Sequence, residues 1–146
     1  MGLPVIDSYP MPDRSAVPPS CVPWLIDPAR AALLVHDMQN HFVRAFPAGR
    51  SPVVELVANV AALRELAGTL GIPVIFTAEP AAQRRDQRGL LVDVWGPGIG
   101  DESDAAAIVA ALTPRPLANT CWPTCATTPF SAVIWAGCCD PRAATN

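Results

Sequence analysis

The chain has 146 residues, 51% of them hydrophobic, with 10 basic and 13 acidic side chains and a net charge of −3. That length suits one domain with a sizeable core, and the acidic balance argues against nucleic acid as a partner. No apolar run reaches the roughly 18–20 residues of a membrane helix, and the N-terminus lacks a basic, apolar secretory signal, so a cytoplasmic protein with no membrane partner is expected. Five cysteines form no regular framework, and an odd count fits poorly with a secreted disulfide scaffold.

Residues 1–28 carry seven prolines. Proline lacks the amide donor and fixes φ, so this segment reads as an extended arm. Val5, Tyr9, Val22, Trp24 and Leu25 are scattered along it, which implies that the arm lies over a surface. The run AALLVHD, Ala31 to Asp37, is short and continuously apolar, the pattern of a strand (Ala31–His36) buried on both faces of a parallel sheet. A helix is expected over Ser51–Leu70. Ser51 can cap it, Pro52 suits its first position, and Gly71 is placed to stop it. Val53, Leu56, Val57, Val60, Leu63, Ala67 and Leu70 recur at three and four as an apolar stripe. IPVIFTA, Ile72 to Ala78, reads as a second buried strand (Pro73–Thr77), followed by the polar loop EPAAQRRDQRG. Asp101–Leu112 reads as a second helix whose first-turn acids suit the helix dipole. Strand, helix, strand, loop, helix is the opening of an α/β fold with a parallel sheet.

In such sheets ligands bind beyond the carboxyl ends of the strands. Asp37 and Glu79 each stand just past a predicted strand end, in a crevice position. The competing reading of Asp37 is a turn cap. His36 and His41 straddle the first strand end, but no cysteine or acid cluster completes a metal site, and no metal is expected there.

GLPVIDSYPMP, DPARAALLVHDMQNHF, IPVIFTAEP, RGLLVDVWGPGI and ALTPRP closely resemble segments of the isochorismatase family of hydrolases. The resemblance covers residues 1–116, arm included. LLVHDMQNHF followed by GLLVDVWGPG points to the isochorismate and aminodeoxyisochorismate branch rather than to nicotinamidases. It implies a three-layer, Rossmann-like α/β domain with a parallel sheet, a small-molecule substrate, no cofactor and a homo-oligomer. It also implies service in siderophore or phenazine-type biosynthesis. The implied reaction is vinyl-ether hydrolysis without a covalent intermediate, giving pyruvate and a dihydro-hydroxybenzoate. The enol-ether methylene takes a proton, an oxocarbenium forms, water adds, and the hemiketal collapses. A carboxylic acid does this near neutral pH only if burial raises its pKa.

By the same resemblance Asp37 is that acid, Gln39 a neighbour in the substrate site and Phe42 a pocket wall. Arg88 matches the arginine that holds a substrate carboxylate, for which a planar fork is suited; on composition alone it reads as a solvated loop arginine. Trp95 matches the pocket tryptophan, with a core aromatic before the GPG turn as the other reading. Glu79 is a departure, because the substrate-binding branch usually has glutamine there. A glutamine can donate, whereas an ionised glutamate only accepts, so Glu79 repels an anionic substrate or acts on Asp37.

The resemblance stops at Pro116. The family continues with a strand carrying a catalytic lysine and then an RYxAFxRSDL-like run. Here the sequence is LANTCWPTCATTPFSAVIWAGCCDPRAATN, and all ten basic residues of the chain are arginine. Back-translated with free third bases and read two bases later, Phe130 to Trp135 spell Gln-Arg-Ser-Asp-Leu, and Cys125 to Phe130 permit Arg-Tyr-Asp-Ala-Phe. The expectation is a truncated domain over 1–116 with a frameshifted, aberrant tail over 117–146, and impaired activity. The hidden frame does not restore the lysine. Two other readings of the tail are a zinc set of Cys121, Cys125, Cys138 and Cys139, with poor ligand spacing, and a nucleophilic Cys138 or Cys139 paired with Asp37. A non-catalytic fragment is the further alternative.

Overall fold

The computed structural model describes residues 3–102 and 104–113 and the strand backbone of 120–121. Two strands rich in branched and aromatic side chains, β1 (Leu33–His36) and β2 (Val74–Thr77), run parallel in the register Leu33↔Val74 to His36↔Thr77. Parallel neighbours need a long crossover, and helix α2 (Val53–Thr69) supplies it. A short strand, β3 (Thr120–Cys121), pairs parallel with β2, giving the order β1-β2-β3. Between and after these lie three short helices: α1 (Asn40–Val43), α3 (Arg85–Arg88) and α4 (Leu91–Trp95). The chain is therefore α/β with a parallel sheet.

The core forms where α2 lies on one face of the sheet. Val35, Val74 and Phe76 of the strands pack with Ala67 and Ile72, and Ile108 and Leu112 complete the cluster. Val57, Val60 and Ala61 of α2 pack against it. Arg64, on the same helix, donates from Nη1 to the Leu112 carbonyl at 3.0 Å and so fastens the segment after residue 108 to α2.

Several expectations are corrected. β1 is buried on one face only, because α2 covers the Val35 face: Val35 is buried and Leu34, pointing the other way, is exposed. Ser51 does not cap α2. Pro52 takes the N-cap position, and the Ser51 hydroxyl instead accepts from the Met11 amide while its carbonyl accepts from Ser8. Of the expected stripe, Leu63 and Leu70 are exposed, since the sheet of short strands meets only part of a 17-residue helix. The arm is tied by Ile6 donating to the Ala45 carbonyl and by the Ser51 bonds. Its Val5, Tyr9, Val22, Trp24 and Leu25 side chains nevertheless stand exposed. The loop EPAAQRRDQRG contains α3, joined to α4 by an Arg85–Asp93 ion pair at 3.1 Å.

The second predicted helix, Asp101–Leu112, does not form. Its described part is a turn, an isolated antiparallel bridge between Ile108 and Gln39, and a 3-10 turn at Ala110–Leu112. Alanine propensity is overridden because the backbone is used elsewhere. The Ala105 and Ala107 carbonyls accept from the His41 and Asn40 amides, and the Val109 amide donates to Met38. Asp104 binds Arg44 and Asn40, which anchors this loop to α1. The cysteine readings of the tail fall on side chains outside the described residues.

Candidate active site

The parallel register brings the carboxyl ends of β1 and β2 to one edge, with His36 opposite Thr77. Asp37 follows immediately and turns the chain with φ +48°. That left-handed conformation is uncommon outside glycine, though aspartate tolerates it better than most residues, and such outliers gather at functional sites. Its carboxylate is gripped: the Thr77 hydroxyl donates to Asp37 Oδ1 at 2.6 Å, and the Asp37 amide bonds back to the Thr77 carbonyl at 3.2 Å. The Asp37 side chain keeps 30% of its surface exposed, so it is open to a ligand on one side. It does not act as a helix cap: the N-cap of α1 is Gln39, and no side chain caps that helix.

Gln39 is fully buried. Its Oε1 accepts from the Glu79 amide at 2.7 Å, and its Nε2 donates to the Glu79 carbonyl at 2.9 Å and to the Ala106 carbonyl at 2.6 Å. One amide thus replaces the strand pairing that β1 and β2 have lost and adds the 104–109 loop to the knot. These bonds of the amide all go to backbone, so its polar atoms hold together the segments around Asp37 and Glu79.

Glu79, two residues past β2, is ion-paired with Arg88 of α3. Arg88 is only 5% exposed and donates further from Nε to the Gly96 carbonyl at 2.7 Å and from Nη1 to Gln83 at 3.2 Å. Burial draws the guanidinium below its ordinary pKa, though it remains a cation. The loop arginine is thus neither solvated nor free, and its charge is met by the carboxylate that stands in the glutamine position. Gly98, at φ +79°, covers the pair: a Cβ there would lie 2.5 Å from Arg88 Nη1 and 3.0 Å from Glu79 Oε1.

The remaining expected residues are less closely joined. Phe42 is half-buried on α1, edge-on to His41 with ring centroids 5.1 Å apart. Trp95 ends α4, next to the Gly96 carbonyl that Arg88 binds, but it is 66% exposed and is not a core aromatic. His36 binds Thr77, and among the described residues no group of three potential metal ligands comes together. The sequence reading missed Thr77 and Gly98. In sequence Thr77 is only the last residue of a predicted strand, and Gly98 lies in the GPG turn after Trp95.

A family model described as the isochorismatase domain matches residues 31–134 and so continues past Pro116. The isochorismatase of Bacillus subtilis (strain 168) is 49% identical over 115 residues, covering 79% of this chain and 37% of that protein. The phenazine biosynthesis protein PhzD of Pseudomonas fluorescens is 42% identical, covering 79% and 55% of the two chains. Enterobactin synthase component B of Escherichia coli (strain K12) is 41% identical, covering 78% and 40%. The chain spans only 37–55% of the length of these relatives.

Proposed function

We propose, from the premise that the chain belongs to the isochorismatase family, that its site is built for hydrolysis of an enol-pyruvyl ether of the isochorismate type, with Asp37 as the acid. The observation that carries this reading is the Asp37 geometry: a partly open carboxyl, just past the end of a parallel strand, in a left-handed turn and held by Thr77. Asp37 gives its proton to the methylene carbon. The ether oxygen then stabilises the oxocarbenium, water adds, and collapse of the hemiketal releases pyruvate and a ring alcohol. Arg88, backed by Gly98, faces the anionic part of the substrate, and Phe42 and Trp95 flank it. The products of such a step feed siderophore or phenazine-type biosynthesis, in the cytoplasm, in an assembly of several copies.

Turnover by this chain is low under the same reading. No lysine occurs in it, and β3 lies where the family resemblance expects the lysine-bearing strand. Loss of one preorganised charged group costs about 10²–10³ in rate. A shifted reading frame after Pro116 accounts for the composition of the tail. The test is pyruvate release from isochorismate and from its amino analogue by the purified chain, beside a version carrying the alternative frame. Slow release that depends on Asp37 supports the reading. Absence of release from either ether by either protein refutes it and leaves a non-catalytic member of the family.

A further inference from the structure

The Thr77 hydroxyl has three polar neighbours and one proton. It lies 2.6 Å from Asp37 Oδ1, 3.1 Å from the Asp37 amide and 2.7 Å from His36 Nδ1. The amide can only donate to it. An ionised carboxylate can only accept, so the single hydroxyl proton points at Asp37 Oδ1. The remaining lone pair of Thr77 then faces His36 Nδ1, which must carry a proton. Both oxygen lone pairs and the hydroxyl hydrogen are used, and the direction of the whole chain is set: His36 Nδ1–H to Thr77 Oγ1–H to Asp37 Oδ1. We infer that Thr77 is a positioning residue for the acid, directing the transferable proton of Asp37 to Oδ2, with His36 orienting the hydroxyl.

This inference rests on the reading of Asp37 as the acid and adds an atom-level account of it. Oδ1 is already occupied by the Thr77 donor, so a proton taken up from water settles on Oδ2, the oxygen left for substrate. In the reaction that proton moves from Oδ2 to the methylene carbon. The π pair of the double bond forms the new C–H bond, a lone pair of the ether oxygen forms the C=O⁺ bond of the oxocarbenium, and the O–H pair stays on Asp37. The carboxyl thereby becomes a carboxylate. The Thr77 hydrogen bond strengthens at that moment, because a donor to an anion is worth more than a donor to a neutral acid. An interaction that grows toward the transition state raises kcat rather than lowering KM. The opposite chain, Asp37 Oδ1–H to Thr77 to His36 Nδ1, would bury the proton in an internal bond and leave none for substrate.

The two directions differ in the tautomer of His36, and the chain holds only two histidines to distinguish. A long-range proton–nitrogen spectrum of the labelled chain, recorded near pH ~8, above the ordinary titration of histidine, reads it directly. The expected result is His36 protonated at Nδ1, a return to Nε2–H in Thr77→Val, retention of Nδ1–H in Thr77→Ser, and an unchanged His41. In pyruvate-release assays Thr77→Val lowers kcat about tenfold or more with KM within about twofold, and Thr77→Ser restores it. An Nε2–H tautomer in the unmodified chain overturns the inference, as does a Thr77→Val protein with native kcat. If the Nδ1–H signature is present but neither the unmodified chain nor the alternative-frame version releases pyruvate, the functional reading fails and the catalytic role of Thr77 falls with it. A valine signature without activity loss overturns the role of Thr77 alone.

Discussion

At the scale of single residues, the candidate site holds two carboxylates in opposite settings. Asp37 is partly open and held at Oδ1 by Thr77. Asp37→Asn keeps the shape and removes the proton donor of the proposed reaction. Pyruvate release is expected to fall by about 10²–10⁴ while the melting temperature stays near its native value; a variant that retains turnover would dismiss Asp37 as the acid. Glu79 neutralises part of the Arg88 charge that would otherwise meet an anionic ligand. Glu79→Gln removes the competing negative charge yet keeps an oxygen to accept from the guanidinium. An anionic substrate analogue should bind about tenfold tighter by calorimetry, with a stability loss of about 1–3 kcal/mol for the weakened pair. Equal or weaker binding would place the pair outside the substrate's reach.

At the scale of elements, the ends of β1 and β2 stay together after their ladder stops because the Gln39 amide continues it. The same amide recruits the 104–109 loop through Ala106. Gln39→Leu fills the space without the polar atoms and strands the Glu79 amide and the Glu79 and Ala106 carbonyls. A loss of about 2–4 kcal/mol in denaturant unfolding is expected. A loss below about 0.5 kcal/mol would mean that these groups find other partners. The turn after α4 carries a comparable constraint. Gly98→Ala would press a methyl group onto the Arg88 guanidinium and also strain a left-handed backbone. The expected outcome is a destabilisation of about 1–3 kcal/mol, a central range for overpacking, with weaker binding of the anionic analogue. A crystal structure of the variant with Arg88 unmoved would count against the close fit.

At the scale of the whole molecule, one cluster on one face of a small sheet carries much of the described core. Phe76 is 1% exposed at its centre. Phe76→Ala should cost about 3–5 kcal/mol, a large share of the roughly 5–15 kcal/mol that holds a domain together. Circular dichroism on heating should show the loss; a melting point within ~2 °C of the parent, a shift worth well under 1 kcal/mol, would show that the core does not rest on this ring. The uncovered side of the sheet, with Leu34, and the outer stripe of α2, with Leu63 and Leu70, leave apolar surface exposed.

Local chemistry in the sequence was sufficient for the elements that satisfy themselves. The three-four repeat after Pro52 is a helix because its hydrogen bonds run between near neighbours, and the apolar runs at Leu33–His36 and Val74–Thr77 are strands because their branched and aromatic side chains suit an extended, packed backbone, although the partner of each is distant. The positions of Asp37 and Glu79 beyond the strand ends follow from the same reading. Other features were decided only in three dimensions. The alanine-rich stretch after Asp101 has helical propensity, but its carbonyls are taken by the distant Asn40, His41 and Gln39, and propensity differences of tenths of a kcal/mol per residue do not resist that. Arg88 reads locally as a loop cation, and only the fold brings Glu79 beside it and Gly98 over it. The contact of Thr77 with His36 depends on the parallel register that sets them opposite each other, a pairing between residues 41 positions apart that no local pattern encodes.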